Sequence, residues 1–180
     1  MNDGAVLAIA QVGNQIVLGG SFTSVTPRGG SPIARRHLVA FDAVTGAINT
    51  AFSPEPSRQV RTLLAGPDGT VFVGGDCTSL DGEPAAHIAR LRLVDGQPVP
   101  GFTATNNNGR VNDLELLGGH LVAGGAFSSV GGQPHAGFAS FDVTKRPGDR
   151  RHRLARHRSV RFRGVLSAAS RCDGLISRTG

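Results

Sequence analysis

The residue types that most often carry chemistry are few and scattered along this 180-residue chain. Its two cysteines, Cys77 and Cys172, have no partner at the spacing of a zinc site. The four histidines before the C-terminal segment fall in different predicted strands and loops: His37, His87, His120 and His135. We therefore expect no metal site, no disulfide and no cofactor.

Acidic and hydroxyl side chains occur at positions that favour structural roles. Asp42, Asp95 and Asp142 lie at or next to the ends of predicted strands, where a carboxylate ordinarily accepts hydrogen bonds from a turn. Serines such as Ser21 and Ser128 belong to clusters that recur along the chain, which does not favour a single activated nucleophile. The sequence therefore predicts no catalytic residue and no enzymatic activity.

Three similar stretches contain a pair of glycines: "VLGGSF", "VGGDCTS" and "AGGAFSS". A phosphate-binding glycine loop needs a helix after it, and no helical pattern follows any of them. We expect these glycines to permit a positive φ or a close backbone approach. We expect the second residue after each pair, Phe22, Cys77 or Phe127, to be buried between packed sheets.

The glycine pairs mark an internal repeat. Gly19, Gly74 and Gly124, the first glycines of the pairs, are 55 and 50 residues apart. An apolar stretch begins 13, 14 and 13 residues before them, at Val6, Val60 and Val111. The spacing predicts three repeats, at about 3–53, 58–103 and 109–144, within a domain of residues 1–144.

Each repeat is predicted to form four short antiparallel strands. The first two are joined by a tight turn, such as "GPDG", in which Gly69 can take a positive φ. A longer loop leads to the third strand, and a turn at Gly46 or Gly96 leads to the fourth. A period near 50 residues with four strands per unit is typical of β-propellers. The fold class predicted is all-β, an arc of about three four-stranded propeller blades.

The stretches "VLGGSFTSV…LVAFDAVTGAINTAFSP" and "VRTLLAGPDGTVFVGGDCTSLDGEPAAHIARLRLVDG" resemble the delta-60 repeat, a bacterial β-propeller repeat. The resemblance covers roughly residues 3–144 and implies a secreted or cell-surface protein, mostly of unassigned function. Kelch repeats share the double glycine, but their usual Tyr and Trp residues are missing from this chain. The resemblance transfers no functional residues, because its motif is structural.

Residues 145–180 differ from the rest in charge. They hold 11 Lys and Arg against 2 Asp and Glu, whereas residues 1–144 hold 8 against 11. The repeat stops where a turn glycine is due, at Arg146, and the composition resembles GC-rich coding sequence read out of frame. We hypothesise a frameshift product, which sequencing of the locus would test. A disordered basic tail and a polyanion-binding tail are the alternatives.

Loops that differ between repeats are the best candidates for binding. They contribute these residues: Arg28, Arg35, Arg36, His87 and His135. We expect a non-enzymatic scaffold, a fragment of a larger secreted or surface protein, that binds an unknown protein or glycan. A remnant of a propeller enzyme is the alternative.

Other partners are expected to be limited. An open arc could self-associate, and nucleic acid would bind only non-specifically, through the basic tail. No apolar run is long enough for a membrane span, and no signal peptide is visible at the N-terminus.

Overall fold

The computed structural model describes residues 3–100, 102 and 107–143, and within these ranges the chain forms strands and turns without helices. No helix capable of crossing a membrane occurs in this part of the chain. The first repeat forms β1 (Val6–Val12), β2 (Gln15–Gly20), β3 (Ser24–Val25), β4 (Ile33–Ala34) and β5 (Leu38–Asp42). The second forms β6 (Val60–Ala65), β7 (Thr70–Gly75), β8 (Ser79–Leu80), β9 (Glu83–Pro84) and β10 (Ile88–Arg92). The third forms β11 (Arg110–Leu117), β12 (His120–Ala126), β13 (Ser129–Val130), β14 (Gln133–Pro134) and β15 (Phe138–Asp142).

The long strands form three antiparallel sheets, which we call the first, second and third blades. Their strand orders are β1-β2-β5, β6-β7-β10 and β11-β12-β15. In the second blade the hairpin turn places Asp68 at φ 57° and Gly69 at φ 67°. Two positive φ angles match the twist of the flanking strands, as in a type I′ turn. The prediction of a positive φ at Gly69 is confirmed.

The predicted fourth strand is reduced to a single bridge in each of the first two blades. Ile48 bridges Phe41, and Pro98 bridges Leu91, each beside the third strand. In the second blade the segment includes Pro98 and Pro100, which have no N–H group to extend a ladder. The corresponding segment of the third repeat, and the predicted tail at 145–180, lie outside the described residues.

A two-stranded ribbon replaces the long loop predicted after each glycine pair. The ribbons pair β3 with β4, β8 with β9, and β13 with β14. Positive φ angles close the tips of the second and third ribbons, at Asp81 and Gly82 and at Gly131 and Gly132. Each of these short ladders joins the two arms of its own loop.

The second glycine of each pair permits a close backbone approach. A Cβ on any of these glycines would overlap a backbone carbonyl oxygen at the start of the first strand of the same blade. The pairs are Gly20 with Ala5, Gly75 with Gln59, and Gly125 with Arg110. None of these glycines has a positive φ. The expected close approach is confirmed, and the alternative of a positive φ is wrong at these positions.

The blades pack on one another through their first strands, with β6 between β1 and β11. One apolar cluster joins the first two blades and includes Val17, Leu38, Phe52, Val60 and Val73. A second joins the second and third blades and includes Phe72, Ile88, Val111, Leu121 and Phe127. As predicted, the residues after the glycine pairs are buried: Phe22, Cys77 and Phe127. This packing fixes the positions of the strand starts, where the repeats differ in chemistry.

Candidate functional site

The first strand of every blade has a β-bulge near its start. The ladder registers shift between Val6 and Ala8, between Val60 and Thr62, and between Val111 and Asp113. The extra residues are Leu7, Arg61 and Asn112. Bulges redirect a side chain out of the regular alternation. These three side chains, with Arg110, line one open depression across the blades.

Asp76, directly after the glycine pair of the second blade, anchors the polar groups at these strand starts. Its Oδ2 accepts hydrogen bonds from Gln59 Nε2 at 2.6 Å and from Arg61 Nε at 3.0 Å. Partial burial opposes ionisation of Asp76. The hydrogen bonds from Gln59 and Arg61 and the charges of Arg61 and Arg110 outweigh it and lower the pKa of the carboxyl. Asp76 is therefore a fixed anion that holds Arg61 in place.

Two further guanidinium groups surround this carboxylate. A second depression, between the second and third blades, is lined by Arg58, Asp76, Thr78, His87, Arg110 and Ala126. Arg58 and Arg110 are exposed, and neither belongs to an ion pair among the described residues. We call Arg58, Arg61, Asp76, His87 and Arg110 the mouth. Three arginines against one carboxylate give the mouth a positive charge.

His87 enters the mouth from an unusual backbone conformation. Its φ is 63°, its N–H donates to the Cys77 carbonyl at 3.0 Å, and its own carbonyl accepts from Gly75 N at 3.1 Å. The Nδ1 atom of His87 is buried without a hydrogen-bond partner among the described residues. His tolerates the left-handed region better than most residues do. The ring is therefore held at the mouth by the backbone bonds of its own blade.

The first and third blades show what belongs to the scaffold at this position. His37 occupies it in the first blade with φ 64°, and Gly137 occupies it in the third with φ 71°. Burial, with a smaller contribution from the charge of Arg36, lowers the pKa of His37. The fold therefore requires a left-handed backbone at this position but not an imidazole, which only the first two blades have.

The structure assigns scaffold roles to the other reactive groups. Burial raises the pKa of the Cys77 thiol to about 11, which leaves almost no thiolate at neutral pH. Asp42 Oδ1 accepts from the backbone N–H groups of Val44 and Thr45, at 3.0 and 2.8 Å. Asp95 Oδ1 accepts from Gln97 N at 3.0 Å. The predicted turn-capping role is confirmed for Asp42 and Asp95.

Of the predicted loop-binding residues, His87 is the one that lines the depression of the mouth. Arg28 lies at the tip of the first ribbon, Arg35 and Arg36 follow β4, and His135 follows β14. Arg35 donates from a terminal guanidinium nitrogen to the Ala34 carbonyl at 2.9 Å. The predicted set is thus distributed over three ribbons. Within the described ranges, no group of three or more His, Cys, Asp or Glu residues could hold a metal ion.

Sequence reasoning missed most of the mouth. Arg58, Arg61 and Arg110 lie immediately around the valines that start the first strands, in "SRQVR" and "GRVND". The three repeats differ at these positions: the second and third repeats have arginines there, whereas the first repeat has "GAVLA". The valine is present in all three repeats, whereas the arginines beside it are absent from the first repeat.

Comparison with known proteins supports the fold. A family model described as a beta-propeller domain of unknown function (DUF5122) matches residues 66–102, which include β7 to β10 of the second blade. With the three repeated antiparallel sheets, this match defines an all-β protein with β-propeller repeats.

Two solved structures are similar to the chain, and both are computationally designed proteins. The Ika8 protein has 15% identity and a TM-score of 0.46, over 77% of this chain and 33% of that one. The Ika4 protein has 16% identity and a TM-score of 0.46, over 76% and 75%. The chain thus spans about a third of the length of Ika8. None of the curated proteins compared with the chain matches it.

Proposed function

We propose that the chain is a non-enzymatic β-propeller module of the delta-60 type, part of a secreted or cell-surface bacterial protein, that binds an acidic group of a protein or glycan. The observation that carries this proposal is the mouth, where Arg58 and Arg110 flank an Asp76 already bound by Arg61. Guanidinium ions bind carboxylates and similar oxyanions, such as sulfates, well, because two parallel N–H donors match two oxygens.

The distribution of charge supports a ligand here. Asp76 receives one guanidinium, from Arg61 at 3.0 Å, and a neutral amide, from Gln59. The positive charges of Arg58 and Arg110 have no carboxylate within ion-pair distance among the described residues. An acidic ligand in the depression would lie against both.

The lowered pKa and the hydrogen bonds of Asp76 favour binding over catalysis. A general acid or base works best with a pKa near the operating pH, so that the group can exchange its proton. The pKa of Asp76 is lowered, and its Oδ2 is engaged by two donors. Asp76 therefore positions Arg61 for a ligand and is poorly suited to proton transfer.

Calorimetric titration of the full-length protein with a chondroitin sulfate hexasaccharide, and separately with a hexaglutamate peptide, tests this function. The variant Arg58→Ala/Arg110→Ala should bind at least one of the two probes about tenfold more weakly than the unchanged protein, as expected for two exposed charge contacts. The matched control is Arg28→Ala/Arg36→Ala, which removes two exposed arginines near the first ribbon.

The control should bind within about twofold of the unchanged protein, since neither Arg28 nor Arg36 lines the depression of the mouth and exposed charges outside a site contribute only weak screened attraction. Equal loss in both variants, or loss in the control alone, would contradict a site at the mouth. Unchanged binding in both would place any affinity elsewhere in the chain and would likewise contradict a site at the mouth.

A further inference from the structure

Where neighbouring blades meet, side chains of the next blade pack over the first glycine of a pair. We call this glycine and the space above it the seat. A Cβ on Gly19 would lie 2.5 Å from Val60 Cγ1 and 3.3 Å from Leu63 Cδ1. A Cβ on Gly74 would lie 3.0 Å from Val111 Cγ1. Only glycine leaves room for the valine at the start of the next blade's first strand. The same contact is therefore formed twice within the chain.

The third blade presents the same seat without an occupant. A Cβ on Gly124 would meet nothing within 4 Å among the described residues. Phe138, cross-strand from Gly124, is 50% exposed, whereas Leu38 and Ile88 at the corresponding positions are 0% and 3% exposed. The third blade thus carries the receiving half of the contact, with its apolar residues open.

The first blade carries the inserting half. Val6 is 38% exposed, although Val60 and Val111 at the same position are fully buried. Ile9 is 66% exposed, although its counterpart Leu63 is 9% exposed. These side chains project from β1 as their counterparts project from β6 and β11. Inserting and receiving surfaces are therefore both present, at opposite blades of one chain.

We propose that a second copy of this chain inserts its Val6 and Ile9 over Gly124 of the first, continuing the contact that already joins the blades. Head-to-tail contacts of this kind close when the rotation completes a ring. Two copies of the three blades that the structure describes make six blades, within the range of roughly four to eight found in closed propellers. A third copy would exceed that range, so the closed assembly is a dimer.

Two carboxylates moderate the strength of this contact. Asp113 is cross-strand from Gly124, and Glu115 is cross-strand from Val122. The second blade has Thr62 and Leu64 at these positions. Charged side chains on an exposed sheet face oppose association, because contact removes them from water. The dimer is therefore expected to form reversibly at micromolar concentrations.

Cysteine crosslinking in full-length protein tests the proposed geometry. In the equivalent contact a Cβ added to Gly19 would lie 3.0 Å from Val60 Cβ, so a small shift would bring the two atoms into the roughly 3.5–4.5 Å range of disulfides. In a Cys172→Ser background, Val6→Cys/Gly124→Cys should form a disulfide-linked dimer on mild oxidation. The control is Val44→Cys/Gly124→Cys, because Val44 is 81% exposed on a turn away from the seat. Equal yields from the two pairs would overturn the proposal.

Sedimentation velocity between about 1 and 200 µM tests assembly without crosslinks. The unchanged protein should shift from monomer to dimer, and Ile9→Glu should remain a monomer throughout. Val44→Glu, the matched control at an exposed turn position, should dimerise like the unchanged protein. A monomer at every concentration, an assembly larger than two copies, or an equal effect of both substitutions would refute the dimer. Circular dichroism verifies that both variants are folded.

Discussion

Replacing Val60 by alanine tests whether the three sheets pack as equivalent blades. Val60 is fully buried against Gly19 at the junction of the first and second blades. The substitution removes two methyl-sized groups, each contributing about 0.8 kcal/mol of burial, and leaves a cavity. We expect a total loss of about 2–3 kcal/mol in the free energy of unfolding.

The matched control is Val6→Ala, the same change at the same repeat position where the side chain is 38% exposed. Its expected loss is below about 1 kcal/mol, because much of the side chain already contacts water. Urea unfolding followed by circular dichroism, at about 1 µM protein, measures both values. Losses of equal size would refute the description of Val60 as part of an inter-blade contact. If Val60→Ala does not fold, Leu63→Ala measures the same contact.

Three further predictions concern charge and reactivity. Asp113→Thr/Glu115→Leu, which installs the residues of the second blade, should strengthen dimerisation about tenfold or more in sedimentation, since no carboxylate is then buried. In Cys172→Ser protein, Cys77 should resist a thiol reagent at pH 8 and react fully in urea, because it is 1% exposed and its pKa is about 11. Asp76→Asn should destabilise the fold at pH 7. This deficit should vanish as the pH falls below 3.8 through the lowered pKa of Asp76, because the folded carboxylate is then protonated.

Each of these predictions has a result that contradicts it. Unchanged or weaker dimerisation of the Asp113→Thr/Glu115→Leu variant would mean that Asp113 and Glu115 of the unchanged protein do not face the second copy. Fast labelling of Cys77 in the folded protein would contradict its burial. A deficit from Asp76→Asn that is constant between pH 7 and the acid limit would show that the ionised carboxylate contributes nothing to stability.

The sequence predicted the blades well because buried positions repeat. Gly75 and Cys77 meet the same packing constraints as their counterparts in the other two blades, so their spacing is visible without a structure. The short ribbons were not predictable in this way. Their two-residue ladders depend on hydrogen bonds closed by the turn at Asp81 and Gly82, and no apolar alternation marks them.

The mouth was harder to predict than the blades. Arg58, Arg61 and Arg110 are distant from one another in sequence, and the β-bulge and the packing of β6 against β11 bring them to one surface. Asp76 gave no repeat signal, because the residues at its position in the other two repeats are Ser21 and Ala126. The predicted loop residue His87 lines the same depression, because its ribbon ends at that surface.

The most direct test of the proposed site is an NMR measurement of arginine side chains in the full-length protein. Addition of the hexaglutamate peptide or the chondroitin sulfate hexasaccharide should shift the Nε–Hε resonances of Arg58 and Arg110, which have no ion pair among the described residues. Those of Arg28 and Arg36 should stay in place. Shifts confined to Arg28 and Arg36, or to arginines within 145–180, would contradict a binding site at the mouth.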